Sequence, residues 1–534
     1  MRKFDWRLLL AGAGIAALGL AGGDALAQST LRIVPQADLK ILDTVWTTNN
    51  ITSNHGYMVY DVLYAPNSKL DYVPQMVESH QRSADGLTWS FKLRDGLAFH
   101  DGSPVTAKDV VATIKRWGDR IPTGKTLMSF TKDVVATGPT TFELRLAKPF
   151  GPVLAMLGNP ENPLFITREK EASLAADQQI TDPTGSGPYI MSKDEWVQGA
   201  KVVYRKNPAY KPRPEPADGF AGGKVAKVDR VEWIVIPDAN IAAQALIRAE
   251  VDAIEIPTTD LLPLMKRDPN IEVRVIDRIG TQGIFRINHL APPMNNPKIR
   301  QALLYLVGDQ RDYLGSMIGN REYEKPCWSV FVCGTPFETT AGVGPWATGT
   351  KEQNLAKAKE LLKEGGYKGE RIVLLDPAEA HLAHTQAIVT SQKLKEAGIN
   401  VDLHTVDWGT QSARRALKDD PEKNPRGWHI FHTWGGGLAQ GSPLTNAAVP
   451  TPCDGSNWFG WPCDDTLEKI RLEFPMAATT EEQKKVVERL QTRFFEVVPY
   501  IPVGQFYSPV AYRKNLSGVL DTVRLVLWNI EKKG

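Results

Sequence analysis

Apolar and polar residues alternate along 88–94, where Trp89, Phe91 and Leu93 share one face and Ser90, Lys92 and Arg94 the other. That period of two predicts a half-buried strand, and Asp95-Gly96 behind it supplies a turn. A second turn at His100-Asp101-Gly102-Ser103-Pro104 leads to Thr106, which can cap a helix with Asp109 placed to answer it. Val110, Val111, Ile114 and Trp117 then recur at helical spacing. Alternation returns at Phe142, Leu144 and Leu146, so 67–182 reads as a small satellite lobe.

The flanking chain has a different rhythm. Residues 30–34 form a strand, and helical spacing at Tyr57, Tyr60, Asp61 and Tyr64 predicts a helix that Pro66 stops. Gly185-Ser186-Gly187-Pro188-Tyr189 marks a sharp re-entry into the main body. Strands at 201–204, 228–236 and 271–276, with a helix starting at Asn240, give the strand-helix-strand order of an α/β layer. A second lobe begins near 283–288. There Asn296 caps and Pro297 opens a helix over 298–307, and a helix over 355–363 stops at Gly365-Gly366. Strand 371–375, helix 382–397 and strand 399–403 form a βαβ unit, followed by a strand at 428–434 and helices near 464–472 and 481–497.

A length of 534 residues exceeds one hydrophobic core and calls for several lobes. With 42% hydrophobic and 23% charged residues, the composition is that of an ordinary globular protein. Lys and Arg number 63 against 61 Asp and Glu, so nothing in the balance argues for nucleic acid as a partner. Arg2, Lys3 and Arg7 before an apolar run at 8–20, then Ala25-Leu26-Ala27, read as a secretory signal peptide over 1–27 cleaved after Ala27. Export favours disulfides. Cys327 and Cys333 lie close together, as do Cys453 and Cys463; of the three possible pairings, neighbours in sequence are the simplest.

No nucleophile elbow, zinc helix, phosphate loop or dinucleotide fingerprint stands in the chain, so no enzymatic activity is expected. His381 and His384 share a helical face and are the only support for a metal-chelate or haem site, which no carboxylate or Cys at ligand spacing completes. His429 and His432 fall on opposite faces of a strand. No cofactor is expected. Trp408, Trp428, Trp434, Trp458, Phe459 and Trp461 crowd the second lobe, and Phe506-Tyr507 follow; such rings line ligand pockets or fill cores.

The string FKLRDGLAFHDGSPVTAKDVV resembles the signature of the family 5 extracellular solute-binding proteins of ABC importers, which include peptide-, glutathione- and nickel-binding members. GSGPYIM at 185–191, NPKIRQALLYLV at 296–307, AKAKELLKEGGY at 356–367 and QKLKEAGINVDL at 392–403 are similar to further motifs of that family in the same order. The resemblance implies an α/β fold of the type II periplasmic-binding-protein kind, with two lobes, a hinge and an extra subdomain. On that pattern lobe one comprises 28–66, 183–282 and 505–534, the subdomain 67–182 and lobe two 283–504, with the crossings near Gln282 and Gly504.

It implies a periplasmic monomer that captures a small-molecule or peptide-like ligand between its lobes and delivers it to an inner-membrane ABC permease. Trp46, Arg286, Asn288, Trp408, Trp434 and Tyr507 are expected to line the cleft: Arg286 to orient an anionic or carbonyl group, Asn288 a polar one, and the rings to stack. Gly436 and Gly437 are expected to let backbone approach the ligand. Peptide binders of the family carry an Asp in the loop after the strand that here ends at Trp434, yet this chain reads WGGGLAQGSP. Dipeptide binders place an Arg shortly after the 371–375 strand, where this chain has Glu379 and His381. A free dipeptide would lack both usual counter-charges, at a cost of several kcal/mol per unpaired ion.

Overall fold

The computed structural model describes residues 29–533 except Ala176 and Ala478; the expected signal peptide at 1–27 lies outside them. Two mixed sheets organise the main body. The first has seven strands in the order Ile271–Arg274, Val510–Arg513, Ala253–Ile254, Thr30–Val34, Arg230–Ile234, Lys201–Lys206 and Tyr189–Met191. Thr30–Val34 runs parallel to both of its neighbours. The second has six strands: Glu324–Lys325, Tyr500–Phe506, Thr281–Ile287, Ile430–Gly436, Ile372–Pro377 and Val401–Val406. Its last three are mutually parallel, as the βαβ pattern requires, and the helix His381–Glu396 makes the crossover.

The strand over Thr88–Leu93 forms as the alternation predicts. Thr88–Leu93 buries Trp89, Phe91 and Leu93 and sits between Val77–Arg82 and Thr141–Leu146 in a four-stranded antiparallel sheet. Phe91 stacks on Phe142 with centroids 4.8 Å apart. The helix Ala107–Arg120 presses Val110, Ile114 and Trp117 onto this sheet, and Asp109 accepts from both the amide and the hydroxyl of Thr106. The turn before it docks on the re-entry motif: the His100 amide donates to the Gly185 carbonyl at 2.8 Å, and the Gly185 amide donates to His100 Nδ1. A side chain at Gly185 would put its Cβ 1.7 Å from the Val59 carbonyl. His100 and Gly185 therefore fasten the loop after the four-stranded sheet's central strand to the segment that enters the seven-stranded sheet.

Two local expectations are corrected. The helix expected through Tyr64 is Asn50–Val59, and Tyr64–Pro66 is a short strand paired with Tyr72–Pro74; the aromatic spacing came from a helix end and a strand both packing inward. The strand placed at 428–434 is Ile430–Gly436. Elsewhere the caps hold: Asn296 accepts from the Lys298 amide at the start of Pro297–Val307. Cysteines pair as sequence neighbours, Cys327 with Cys333 and Cys453 with Cys463.

Candidate ligand-binding cleft

Strand direction places the site. In the first sheet Thr30–Val34, Arg230–Ile234 and Ala253–Ile254 point the same way; the carboxyl end of the first leads to Gln36 and Lys40, and that of the third to Glu255. In the second sheet the carboxyl ends of Ile372–Pro377, Val401–Val406 and Ile430–Gly436 lead to Glu379, Trp408 and Gly437. Open α/β sheets bind ligands beyond such ends. The two edges face each other: Lys40 lies 3.7 Å from Asp407, and Arg415 donates to Asn49 Oδ1 at 3.4 Å.

The chain passes between the sheets at 275–280 and 507–509, slightly outside the expected crossings because the second ladder starts at Thr281 and ends at Phe506. Gly280 has φ +81, and a Cβ there would lie 2.7 Å from the Phe506 carbonyl and 2.9 Å from the Tyr507 ring. Only glycine lets the crossings lie this close.

Trp408 and Trp434 come together at this edge, stacked with centroids 5.2 Å apart and planes 24° from parallel. Both are half-buried. The Trp408 amide donates to Glu379 at 2.6 Å, and Asp407 caps the short helix Trp408–Arg414 that follows. Tyr507 is half-buried beside Gly280. Trp46 is held apart from that pair, its ring beneath the guanidinium of Arg120 at 4.2 Å, where it ties the lobe-one loop to the satellite.

Arg286 and Asn288 are corrected. Arg286 is fully buried, and its guanidinium donates to the carbonyls of Ala448, Pro499, Phe459 and Trp458. Asn288 is equally buried, donating to the Trp428 carbonyl and accepting from the Leu290 amide. Both lie toward the far end of Thr281–Ile287, away from the Thr281 end that meets the cleft, so their polar atoms close backbone loops. Gly436 and Gly437 are corrected in part: their missing side chains admit the protein's own groups. A Cβ on Gly437 would meet Ile279 and the Gly280 carbonyl, and one on Gly436 would lie 2.3 Å from Glu161 Oε1.

Several polar residues at this edge escaped the sequence reading. Arg415 is only 3% exposed, its Nε has no acceptor, and it has no carboxylate partner among the described residues. Its guanidinium lies 4.6 Å from the Phe459 ring and 5.9 Å from that of Trp458. Burial pulls its pKa down to about 10. Both rings sit in the loop closed by the Cys453–Cys463 bridge. Across the interface Glu161 accepts from Arg524 at 2.9 Å, and Arg524 also reaches Asn54. Asn54 donates to Glu255 at 2.6 Å. Asp277, in the first crossing, accepts from the Ile279 and Gly280 amides; burial, reinforced by the Glu161 charge, raises its pKa to about 7. These positions are far apart in sequence and share no motif.

His384 Nδ1 meets Asp376 at 2.5 Å, while His381 lines a separate recess of about 80 Å³ with Thr258, Asp260 and Gly319. No group of three or more His, Cys, Asp or Glu able to hold a metal occurs among the described residues. A larger cavity, about 470 Å³, opens on the satellite beside Lys108, Lys115 and Glu169 and does not include the cleft edge.

A probable peptide ABC transporter periplasmic-binding protein of Sinorhizobium fredii is 36% identical over 529 residues, covering 96% of this chain and 98% of the relative. A glutathione-binding protein of Shigella flexneri is 25% identical, with 95% of each chain covered. The structure of a periplasmic binding protein from A. tumefaciens in complex with agropinic acid superposes with a TM-score of 0.80 over 95% of this chain and 99% of that one, at 19% identity. That likeness speaks for a shared fold. The profile of the bacterial extracellular solute-binding proteins, family 5 Middle, matches residues 71–440. With the profile match and the relatives aligned nearly end to end, the chain belongs to the family 5 bacterial extracellular solute-binding proteins.

Proposed function

We propose that this protein captures a small peptide-like solute between its lobes and passes it, chemically unchanged, to the inner-membrane permease of an ABC importer. It does so as a periplasmic monomer, with lobe one formed by 28–66, 183–282 and 505–534, the satellite by 67–182 and lobe two by 283–504. The observation that carries this reading is the stacked Trp408–Trp434 pair at the facing carboxyl edges, where the Arg415 guanidinium, without a carboxylate partner among the described residues, reaches Asn49 of the opposite edge. Rings give a flat apolar surface for a ligand backbone or side chain. A buried guanidinium without a counter-ion is completed by an anionic group such as a carboxylate.

Closure is then a shift between open and closed arrangements about 275–280 and 507–509, driven by ligand contacts in both lobes. The peptide transporter and glutathione-binding relatives favour a solute of peptide character. A thermal-shift screen of peptides, glutathione, amines, sugars and metal chelates tests the reading. A peptide or peptide-like solute should raise the melting temperature, and substitution of Arg415 should abolish the response. A response confined to metal chelates, and lost on His381→Ala, would overturn the choice of solute.

A further inference from the structure

The helix Ala107–Arg120 buries Val110, Ile114 and Trp117 in the core beneath it, and another of its faces walls the cavity of about 470 Å³ that lies apart from the cleft edge. That volume falls in the range of small-molecule pockets. The solvent-side face of an amphipathic helix is ordinarily polar. Here Val111 and Ala112 stand on the cavity wall, half-buried, joined by Ala136 at the end of the strand Thr131–Ala136 and by Ala172 and Leu174. The cavity therefore has an apolar lining that the core does not account for.

Charge is arranged around this lining. Four cations wall the cavity, Lys108, Lys115, Arg116 and Arg120, with two carboxylates, Asp119 and Glu169. Asp43 pairs with Arg116 at 2.8 Å and adds a third carboxylate, which leaves one positive charge over. Glu169 stands toward the amino end of the helix, its amide donating to Asp109 at 2.7 Å, and Asp119 stands at the carboxyl end. Lys115 lies between them, exposed and without an ion-pair partner among the described residues. Beside it, Arg116 is locked into the wall: its terminal nitrogens donate to Asp43 and to the carbonyls of Leu174 and Gln178. Its Nε has no acceptor among the described residues, although the side chain is only 5% exposed. Buried polar groups are ordinarily hydrogen-bonded, so the wall is short of one acceptor as well as one negative charge.

We propose that this cavity is a second small-molecule site, separate from the cleft, for an organic monoanion: a carboxylate on an apolar body. Lys115 and Arg116 hold the carboxylate, and the body lies on Val111, Ala112 and Leu174. One surplus charge fits one anionic head, and charge-assisted hydrogen bonds to carboxylate are the strong ones. Asp119 and Glu169, on either side of Lys115, repel further anionic groups and so turn away polyanions. The site does not use the cleft, so it can be filled whether or not a solute is held between the lobes.

Ligand-observed NMR with octanoate, and with octylamine as its cationic match, tests the site on the whole protein. Octanoate should bind saturably at millimolar concentration or below, and octylamine should not. Ala112→Phe, which fills the cavity, should abolish octanoate binding. Lys115→Gln should weaken it at least threefold; because that side chain is exposed, this variant carries the test if Ala112→Phe does not fold. Melting temperatures of both variants report folding. Absence of saturable octanoate binding, equal binding of octylamine, or wild-type affinity in the folded variants overturns the site. So does loss of octanoate binding in Trp434→Ala, which would place the octanoate in the cleft.

Discussion

Trp408 and Trp434 stack 5.2 Å apart although one opens a helix and the other lies in a strand of the lobe-two sheet. Both rings stay half-buried, and only Trp434 packs against the lobe's hydrophobic core. Replacing Trp434 with Ala should therefore cost modest stability and weaken solute binding. Burying a large apolar side chain is worth about 1.5–3 kcal/mol, so affinity should fall roughly ten- to hundredfold. Isothermal titration of the variant and the wild type measures this, with melting temperature as the control for folding.

Arg286 should behave in the opposite way. Its guanidinium holds four backbone carbonyls from separate loops, and each orphaned buried acceptor costs about 1–3 kcal/mol. Arg286→Ala should unfold at least about 3 kcal/mol more easily in denaturant. Any protein that still folds should bind solute nearly as the wild type does. A large loss of affinity with unchanged stability would return Arg286 to the cleft.

The Cys453–Cys463 bridge closes the loop that brings Trp458 and Phe459 against Arg415. Loop-closure entropy for so short a loop is worth roughly 2–3 kcal/mol. Changing both cysteines to Ser should lower stability by about that amount and also reduce affinity. The Cys327–Cys333 pair should matter for stability alone, because its loop anchors to Gln310, Gln282 and Gln505. Comparing denaturation midpoints with binding constants for the two double variants separates these roles.

Asp277 predicts a pH dependence. Its folded pKa, about 7, lies above the ordinary carboxylate value of 3.8. The unfolded chain thus releases this proton first, and the ionised group works against the folded state. Its cost is absent below about pH 4, grows through the window up to about 7 and is complete above that. Asp277→Asn should raise the melting temperature more at pH 8 than at pH 5, as scanning calorimetry at the two values will report.

Much of the scaffold was legible because local chemistry fixed it. The alternation of Trp89, Phe91 and Leu93, the Asn296-Pro297 start and the glycines at 365–366 each specify an element within a few residues. The hidden logic of the His100 turn was its partner, Gly185, which no local pattern reveals. In the cleft, Trp408 and Trp434 could be singled out as aromatics near strand ends. Arg286 misled because a period-two strand does not say which of its ends meets the cleft. Glu161, Arg415 and Arg524 were invisible for a simpler reason: their partners, Arg524 for Glu161 and Phe459 and Asn49 for Arg415, lie far away in sequence, and each sits in a segment without a motif.

The central claim is that a small solute is held between the lobes by Trp434 and Arg415. Mass spectrometry should identify a solute that copurifies with the protein; after its removal, titrating it back measures the claim directly. One molecule should bind per chain and stabilise it by about 2.7 kcal/mol at a hundredfold excess over its dissociation constant, with Trp434→Ala and Arg415→Ala each losing at least tenfold in affinity. Binding that is unchanged in both variants would contradict the account.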